Sequence, residues 1–291
     1  MIYGSLEAGG TKMVCAIGDE NGKIFEQVKF PTLTPEETMP QIFDYFKSKN
    51  VQALGIACFG PIDLRKDSKD YGSITSTPKK GWSGYNIVKA AKEALNVPIG
   101  FDTDVNGSLL GEITYGCAKG LTDAIYLTIG TGVGGGVMSN GKLLHGMLHP
   151  ELGHIRMPLL KNDPGKSICP FHDNCLEGLT SGPSLAARWG KTADLLVDNK
   201  EVWEIEATYI GTALASYVLT LSPQKIILGG GVMHQEQLFP LIREKFKEAL
   251  NGYVVTEEMD HLEDYIVPAS LNDDQGILGA LKLAIDAYAE K

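Results

Sequence analysis

Several features that would place a 291-residue chain quickly are missing from this one. No apolar run reaches the roughly 18 residues a membrane span needs. The opening residues, MIYGSLEAGG, hold neither the basic segment nor the apolar segment of a secretory leader. A cytoplasmic chain with no membrane partner is the expectation. Basic residues are outnumbered, 26 against 36 acidic, and the net charge of −10 with no long Lys/Arg run argues against nucleic acid as a partner. The strongest basic cluster, the pair Lys79-Lys80, reads as a solvated turn. Cysteine is scarce and odd in number: Cys15, Cys58, Cys117, Cys169 and Cys175. The first three sit in apolar or glycine-rich surroundings typical of buried free thiols, so no disulfides are expected. Low-complexity tracts and Pro/Ser-rich linkers are also absent.

What remains is the composition of an ordinary folded protein, 43% hydrophobic and 21% charged, in a chain too long for one typical core. Two lobes are therefore expected. IYGSLE and KMVCAIG are strand-like runs on either side of AGGT, and Asn21-Gly22 leads into a third, KIFEQVKF. Asn-Gly suits a type I′ hairpin, in which both central residues take positive φ. The same order returns in DAIYLTIG, TGVGG, GVMS, Asn140-Gly141 and KLLHG, so one half of the chain reads as a repeat of the other. Between and after these meanders, buried strands (VQALGIA, VPIGF, KIILGG) alternate with helical patterns (YNIVKAAKEALN, EVWEIEATYIGTALASYVLTL, FPLIREKFKEAL, GILGALKLAIDAYA). That is α/β alternation. By pattern alone the lobes are residues 1–104, joined by the C-terminal helix 272–291, and residues 105–271.

Glycine pairs between strands let backbone N–H groups approach a phosphate with no Cβ in the way. EAGGTK (Glu7 to Lys12) and TIGTGVGGG (Thr128 to Gly136) are two such loops. Neither is a Walker loop, which ends in Lys-Ser/Thr, nor a Rossmann fingerprint, which needs a helix next; here a strand follows. A third cluster, LGGGVM (Leu228 to Met233), comes after a strand and before a helix, where an open α/β sheet presents backbone to a nucleotide. Any one of these loops could simply turn the chain, but three in this order point to a polyphosphate.

Together, EAGGTK, GIACFGPID, FDTDVNGSLLGE, TIGTGVGGG, ELGH, CLEGLTSGP and LGGGV resemble the ROK family of sugar kinases, over residues 2 to about 280. The resemblance implies an actin-like/hexokinase ATPase fold with two lobes, a ribonuclease H-like duplication and an interlobe cleft. EAGGTK, TPKKGW and CPFHDNCLEG are most similar to the bacterial fructokinases of the family. Members that repress transcription carry an N-terminal helix-turn-helix, and here the kinase pattern starts at residue 2. The family motif Asn-Asp-x-Asn maps onto residues 103–106. Asp104 is thereby the base that accepts the sugar hydroxyl proton, Asn106 matches the second Asn, and Thr103 stands where the family has a sugar-binding Asn. Read without the family, Asp102 and Asp104 are both ordinary helix caps at a strand-to-helix junction. The resemblance further implies that Glu7, where most relatives have Asp, organises Mg2+ through water. It sets Gly9, Gly10, Thr11 and Lys12, then Gly130, Thr131, Gly132 and Gly134, against the phosphates of ATP. Ser181, Gly182 and Pro183, with Gly229, Gly230 and Gly231, fall at the nucleotide as well. Gly60 and Pro61 match the sugar-side loop, Trp82 is a candidate wall of the sugar pocket, and a homodimer is the family's expected assembly.

The stretch HPELGHIRMPLLKNDPGKSICPFHDNC, residues 149–175, concentrates three of six histidines and two of five cysteines. The metalloprotease motif H-E-x-x-H does not fit, since His149 and His154 are five apart with Pro150 and Gly153 between them. A zinc deaminase would continue its H-x-E with P-C-x-x-C, but Cys169 and Cys175 are six apart. A closed structural zinc held by His154, Cys169, His172 and Cys175 remains, within a zinc loop 149–177. Such a metal would hold Glu151 and Glu177 nearby, and by resemblance Glu151, His154 and Glu177 contact the sugar, His154 giving one ring nitrogen to zinc and the other to a hydroxyl. The expected activity is transfer of the γ-phosphoryl of Mg-ATP to the C6 hydroxyl of a hexose, D-fructose first. A glucokinase or amino-sugar kinase of the same family, a sugar sensor without turnover, and a zinc-centred interaction module stay open as rivals.

Overall fold

The computed structural model describes residues 1–291, which separate into two compact units. The first comprises residues 1–120, 143–150 and 270–291, the second residues 121–142 and 151–269. The sequence pattern put the change of lobe near residue 104, whereas the helix that starts there packs within the first unit.

The first unit is built on a five-stranded sheet of β1 (Tyr3–Ala8), β2 (Lys12–Gly18), β3 (Ile24–Pro31), β4 (Leu54–Cys58) and β5 (Ile99–Thr103), in the order β3-β2-β1-β4-β5. β1 runs antiparallel to β2 and parallel to β4, and β4 is parallel to β5. Every residue of β4 is buried, as an apolar run without alternation requires when both faces are covered. Helix α1 (Pro35–Lys49) starts with a reciprocal capping box of Thr34 and Glu37 and stops at Asn50, whose φ of 51° ends the helix. Helix α2 (Ile87–Leu95) is capped by the Asn86 side chain, and α3 (Asp104–Tyr115) by that of Thr103. The C-terminal helix, Gln275–Ala289, lies against β1, β4, β5 and α3. It approaches α3 so closely that a methyl carbon on Gly279 would stand 1.7 Å from the Gly107 carbonyl oxygen.

The second unit has the sheet β8-β7-β6-β9-β10, from β6 (Ala124–Ile129), β7 (Val133–Ser139), β8 (Lys142–Leu143), β9 (Lys225–Gly229) and β10 (Ile266–Pro268). β6 pairs antiparallel with β7 and parallel with β9, which pairs parallel with β10. Read from its meander edge, this is the strand succession of the first sheet, so the duplication expected from the sequence holds at the level of topology. Short helices α4 (Leu176–Thr180) and α5 (Gly182–Trp189) precede the long α6 (Lys200–Leu221) and then α7 (Leu238–Leu250). Buried residues recur all round α6, including Trp203, Tyr209 and Tyr217, because it lies in the core against α4 and α7.

Three local expectations change. Gly22 has φ 82° but Asn21 is not left-handed, so the first Asn-Gly turn is not type I′. Asp19 explains it: its side chain accepts from the Asn21 and Lys23 N–H groups, and its carbonyl accepts from Gly22, a turn that shifts the β2–β3 register at Ile17/Gly18. Asn140 and Gly141, at φ 50° and 71°, do form the turn with two left-handed residues. The strand expected in KLLHG is reduced to Lys142–Leu143. Cys117 is only half-buried, its thiol donating to Glu112, while Cys15 and Cys58 are core thiols.

The Gly279 contact yields a stability prediction. Gly279→Val should lower unfolding free energy by about 3 kcal/mol or more, because the obstacle is backbone rather than a movable side chain. Equilibrium urea unfolding with an unchanged midpoint would contradict the packing described.

Candidate active site

In the first unit, β1 and β2 are joined by the tight glycine turn at residues 9–11. Gly9 N–H donates to the Lys12 carbonyl at 3.1 Å, while Thr32 donates its hydroxyl to Gly9 O at 2.8 Å and its N–H to Thr11 O at 3.0 Å. The turn is thus pinned from the end of β3, leaving Thr11 and Lys12 exposed. The Lys79 side chain lies across it, with Cε 3.2 Å from where a methyl carbon on Gly10 would be. Lys79 therefore belongs to this loop rather than to the plain solvated turn that its sequence suggests.

Asp104 opens α3, at the end of β5. Its Oδ1 accepts from Val105 N–H at 2.9 Å, and the Thr103 hydroxyl oxygen accepts from Asn106 N–H at 3.1 Å. Thr103 is buried, so its side chain is first of all a helix cap. Glu7, at the end of β1, is half-buried; burial first, and the Asp104 charge second, push its carboxyl up to about 7. Asp102, whose side chain is 4% exposed, supports the turn from inside: its Oδ1 accepts from Thr103 N–H at 2.8 Å and Asn106 Nδ2 at 2.7 Å. Its Oδ2 lies 2.9 Å from His145 Nε2, a pairing that no spacing in the sequence announces. Gly60 and Pro61 follow β4 through a cis peptide, and the buried His149 accepts from Ile62 N–H at 3.3 Å through Nε2. His149 thus supports this loop and stands apart from the metal-type ligands. Trp82 is fully buried, donates to Leu33 O at 2.6 Å and packs edge-on against Phe59 and Tyr85. It is a core residue and not an exposed pocket wall.

In the second unit, three segments far apart in sequence meet at Gly130. Gly130 N–H donates to Gly132 O at 2.9 Å, Gly182 N–H donates to Gly130 O at 2.7 Å, and Gly231 N lies close by. Gly230 takes φ 91° to fit beneath Ile129, and the turn Gly231–His234 follows before α7. Ser181 is buried and caps α5, with Pro183 in its first turn. Glu177, in the first turn of α4, accepts from Val133 N–H at 3.0 Å, and a methyl carbon on Gly132 would stand 2.7 Å from its Oε2. The carboxylate expected at the sugar thus also ties down the Gly130–Gly134 loop. Thr131 is exposed on that loop.

His154, Cys169, His172 and Cys175 come together, each offering a ligand atom within 4.8 Å of the others. Cys169 Sγ is 3.9 Å from His154 Nδ1 and 3.7 Å from His172 Nδ1. Bonds of the usual zinc–sulfur and zinc–nitrogen lengths in a tetrahedron separate ligand atoms by about 3.3–3.8 Å, and the four residues are drawn together on that scale, as such an ion requires. The arrangement is built from both sides. Tyr217 donates to Leu152 O and fixes the turn Leu152–His154; Arg156 bridges antiparallel to Cys175, with Met157 N–H donating to Asn174 O at 2.8 Å. Ser167 donates to His172 O at 2.6 Å and accepts from Cys169 N–H at 3.2 Å, closing the second ligand pair. His154 turns Nδ1 to Cys169 and Nε2 toward Glu177 Oε1, 4.0 Å away. Glu151 is exposed just before the turn.

The loop between the ligand pairs is anchored by a buried ion cluster that sequence reading missed. Arg188 of α5 pairs with Asp163 at 2.8 Å and with Glu206 of α6, all about 1% exposed or less, and Tyr209 donates to Asp163 at 2.7 Å. Burial raises the Glu206 carboxyl to about 8 against the pull of Arg188. One cation facing two acids on different elements is a tertiary fact with no local signal.

Comparison with known proteins gives one answer at two levels. The model of the ROK family matches residues 3–287. The fructokinase of Pediococcus pentosaceus is 49% identical over 285 residues, covering 98% of this chain and 98% of its own. The fructokinase of Lactococcus lactis subsp. cremoris is 44% identical over 291 residues, with 99% of each chain covered. Among solved structures, the ROK hexokinase from Thermus thermophilus matches with a TM-score of 0.83 and 26% identity over 100% of both chains.

Removing Arg188 should strand two buried acids. Arg188→Ala should cost about 3–5 kcal/mol of stability in chemical denaturation, as for other broken buried pairs; a loss below about 1 kcal/mol would show that the cluster does not hold the loop.

Proposed function

The chain belongs to the ROK family, and we propose that the carboxylates and glycine loops described above serve an ATP:hexose 6-phosphotransferase acting on D-fructose. It is a sugar kinase, and the observation that carries fructose in particular is its near full-length similarity to two fructokinases. Phosphoryl transfer asks little covalent chemistry of a protein: the acceptor hydroxyl must be aimed, the phosphates held, and one proton taken up late. Asp104 is the proton acceptor. Its place at the start of α3, with Oδ1 held by Val105 N–H, supports that role, because the backbone orients the carboxylate. The turns at Gly9–Lys12 and Gly130–Gly134 offer backbone N–H groups to the phosphates, and Lys79 adds a cation beside the first. Gly182 and Gly229–Gly231 border the nucleotide on the second loop's side. Glu7 would hold Mg2+ through water; when bound, that ion neutralises charge on the β- and γ-phosphate oxygens. Gly60, Pro61, Glu151, His154 and Glu177 position the sugar.

We assign zinc to the four Cys/His ligands. Two thiols and two imidazoles drawn into one cluster, with Glu177 beside it, support a structural ion that fixes His154 and the start of α4. A cytoplasmic homodimer is proposed on the family resemblance alone.

A hexose panel with Mg-ATP tests the substrate. Phosphorylation of fructose should exceed that of glucose, mannose and N-acetylmannosamine by at least about tenfold in kcat/KM; a preference for glucose would replace fructokinase by glucokinase. Asp104→Asn should reduce kcat by about 10²–10⁴-fold with little change in the KM for sugar, and near-normal turnover would remove Asp104 as the base. Stripping the metal, or Cys175→Ser, should release about one zinc per chain and lower the unfolding temperature. Metal content unchanged by Cys175→Ser would refute the ligand set.

A further inference from the structure

Asp102 is a buried carboxylate two residues from the proposed base, in a region already rich in negative charge. Besides its burial, Glu7 feels the charges of Asp104, Asp274 and Asp273, with Lys12 pulling the other way. Asp102 Oδ1 is fully engaged in the turn that launches α3, taking the Thr103 N–H and the Asn106 amide. That leaves Oδ2, and the group that meets it is His145, brought in by the segment 143–150 of the first unit. The imidazole is 40% exposed on its side chain while the carboxylate is 4% exposed. Nε2 faces an acceptor in Asp102 and the Asn106 amide nitrogen at 3.4 Å, so a proton on Nε2 points to Asp102, and the hydrogen bond to that carboxylate raises the imidazole's pKa, favouring its cationic form. His145 is the one cationic-type side chain hydrogen-bonded to Asp102; Lys66 acts on the imidazole only through its charge, and Arg65 is paired with Asp63.

We propose that His145 is a positioning residue for phosphoryl transfer, holding and neutralising the buried Asp102 carboxylate so that the turn bearing Asp104 keeps its geometry and Asp104 alone presents the reactive negative charge. The inference rests on Asp104 being the base. Without the imidazole, a buried carboxylate is left with an unpaired oxygen beside Asp104. It must then draw a proton or a water, or rotate away from Thr103 and Asn106, and either response disturbs the first turn of α3. The fold itself does not need the pair, since Thr103 caps α3 and the C-terminal helix packs along it. Losing the half-exposed histidine therefore leaves α3 formed while the acceptor site is miscast.

Three variants, assayed with fructose and Mg-ATP, test this. His145→Ala should lower kcat about tenfold, with both KM values within about twofold, together with a loss of stability from the unpaired Asp102 carboxylate. Adding Asp102→Asn to that variant should restore kcat to within about threefold of wild type. Asparagine keeps Oδ1 as acceptor for Thr103 and Asn106 but carries no charge to be neutralised, so kcat should recover, whereas an unfolding temperature that recovers without kcat would mark a merely structural role. His145→Ala within twofold of wild type, or a double variant no faster than the single one, would overturn the proposal. Asp104→Asn in the same assay reports separately on the base: should it stay active, the base assignment fails whatever the His145 pair does.

Discussion

In the second unit, one carboxylate couples two devices that sequence keeps apart. Cys175, a metal-type ligand, is also the N-cap of α4, and Glu177 two residues later accepts the Val133 N–H at the end of the glycine loop. A five-residue helix is too short to be stable by itself. It is held at one end by the Cys/His cluster and its Glu177 carboxylate is held by the loop, so ordering one orders the other. The Gly182 N–H to Gly130 carbonyl bond, just past α4, closes the triangle. A metal ion held by the cluster would therefore also steady the Gly130–Gly134 loop through Glu177.

The first unit solves a different problem, the crowding of acids. Glu7 lies at the end of β1, and Asp102 and Asp104 at the end of β5, on either side of β4; the three strands run parallel, which brings their C-terminal ends to one edge. Each acid has a distinct setting: Glu7 half-buried and pushed upward, Asp102 buried and paired with His145, Asp104 at a helix start with a backbone hydrogen bond. Environments that differ so much let chemically similar groups take different roles. The close crossing of Gly279 over Gly107 sets this edge, since it fixes α3 against the C-terminal helix directly behind Asp104.

The repeat of strand–glycine turn–strand was legible because it is local: period-two strands and glycine clusters carry their signal within ten residues. The four Cys/His ligands were legible by residue type and helix α2 by its periodicity, whereas α1 went unread although Thr34 and Glu37 cap it. The turn at Asn21-Gly22 was misread because the deciding group, the Asp19 side chain, lies outside the dipeptide. Trp82 was misread because an aromatic ring under a loop looks alike in sequence whether it faces a pocket or the core.

By itself, then, the sequence determined the α/β class, the internal duplication, the glycine turns, the metal-type ligand set and the family, each of which depends on short spacing or residue identity. Only the tertiary structure decided that α3 belongs with the first unit, that Glu177 grips the loop before β7, that Arg188 pins Asp163 to Glu206, and that His145 meets Asp102. Those pairings span from 18 to 44 residues of chain, and their partners are chosen by burial. A charged group removed from water takes whichever opposite charge the fold brings to it, and no local pattern records which one that will be.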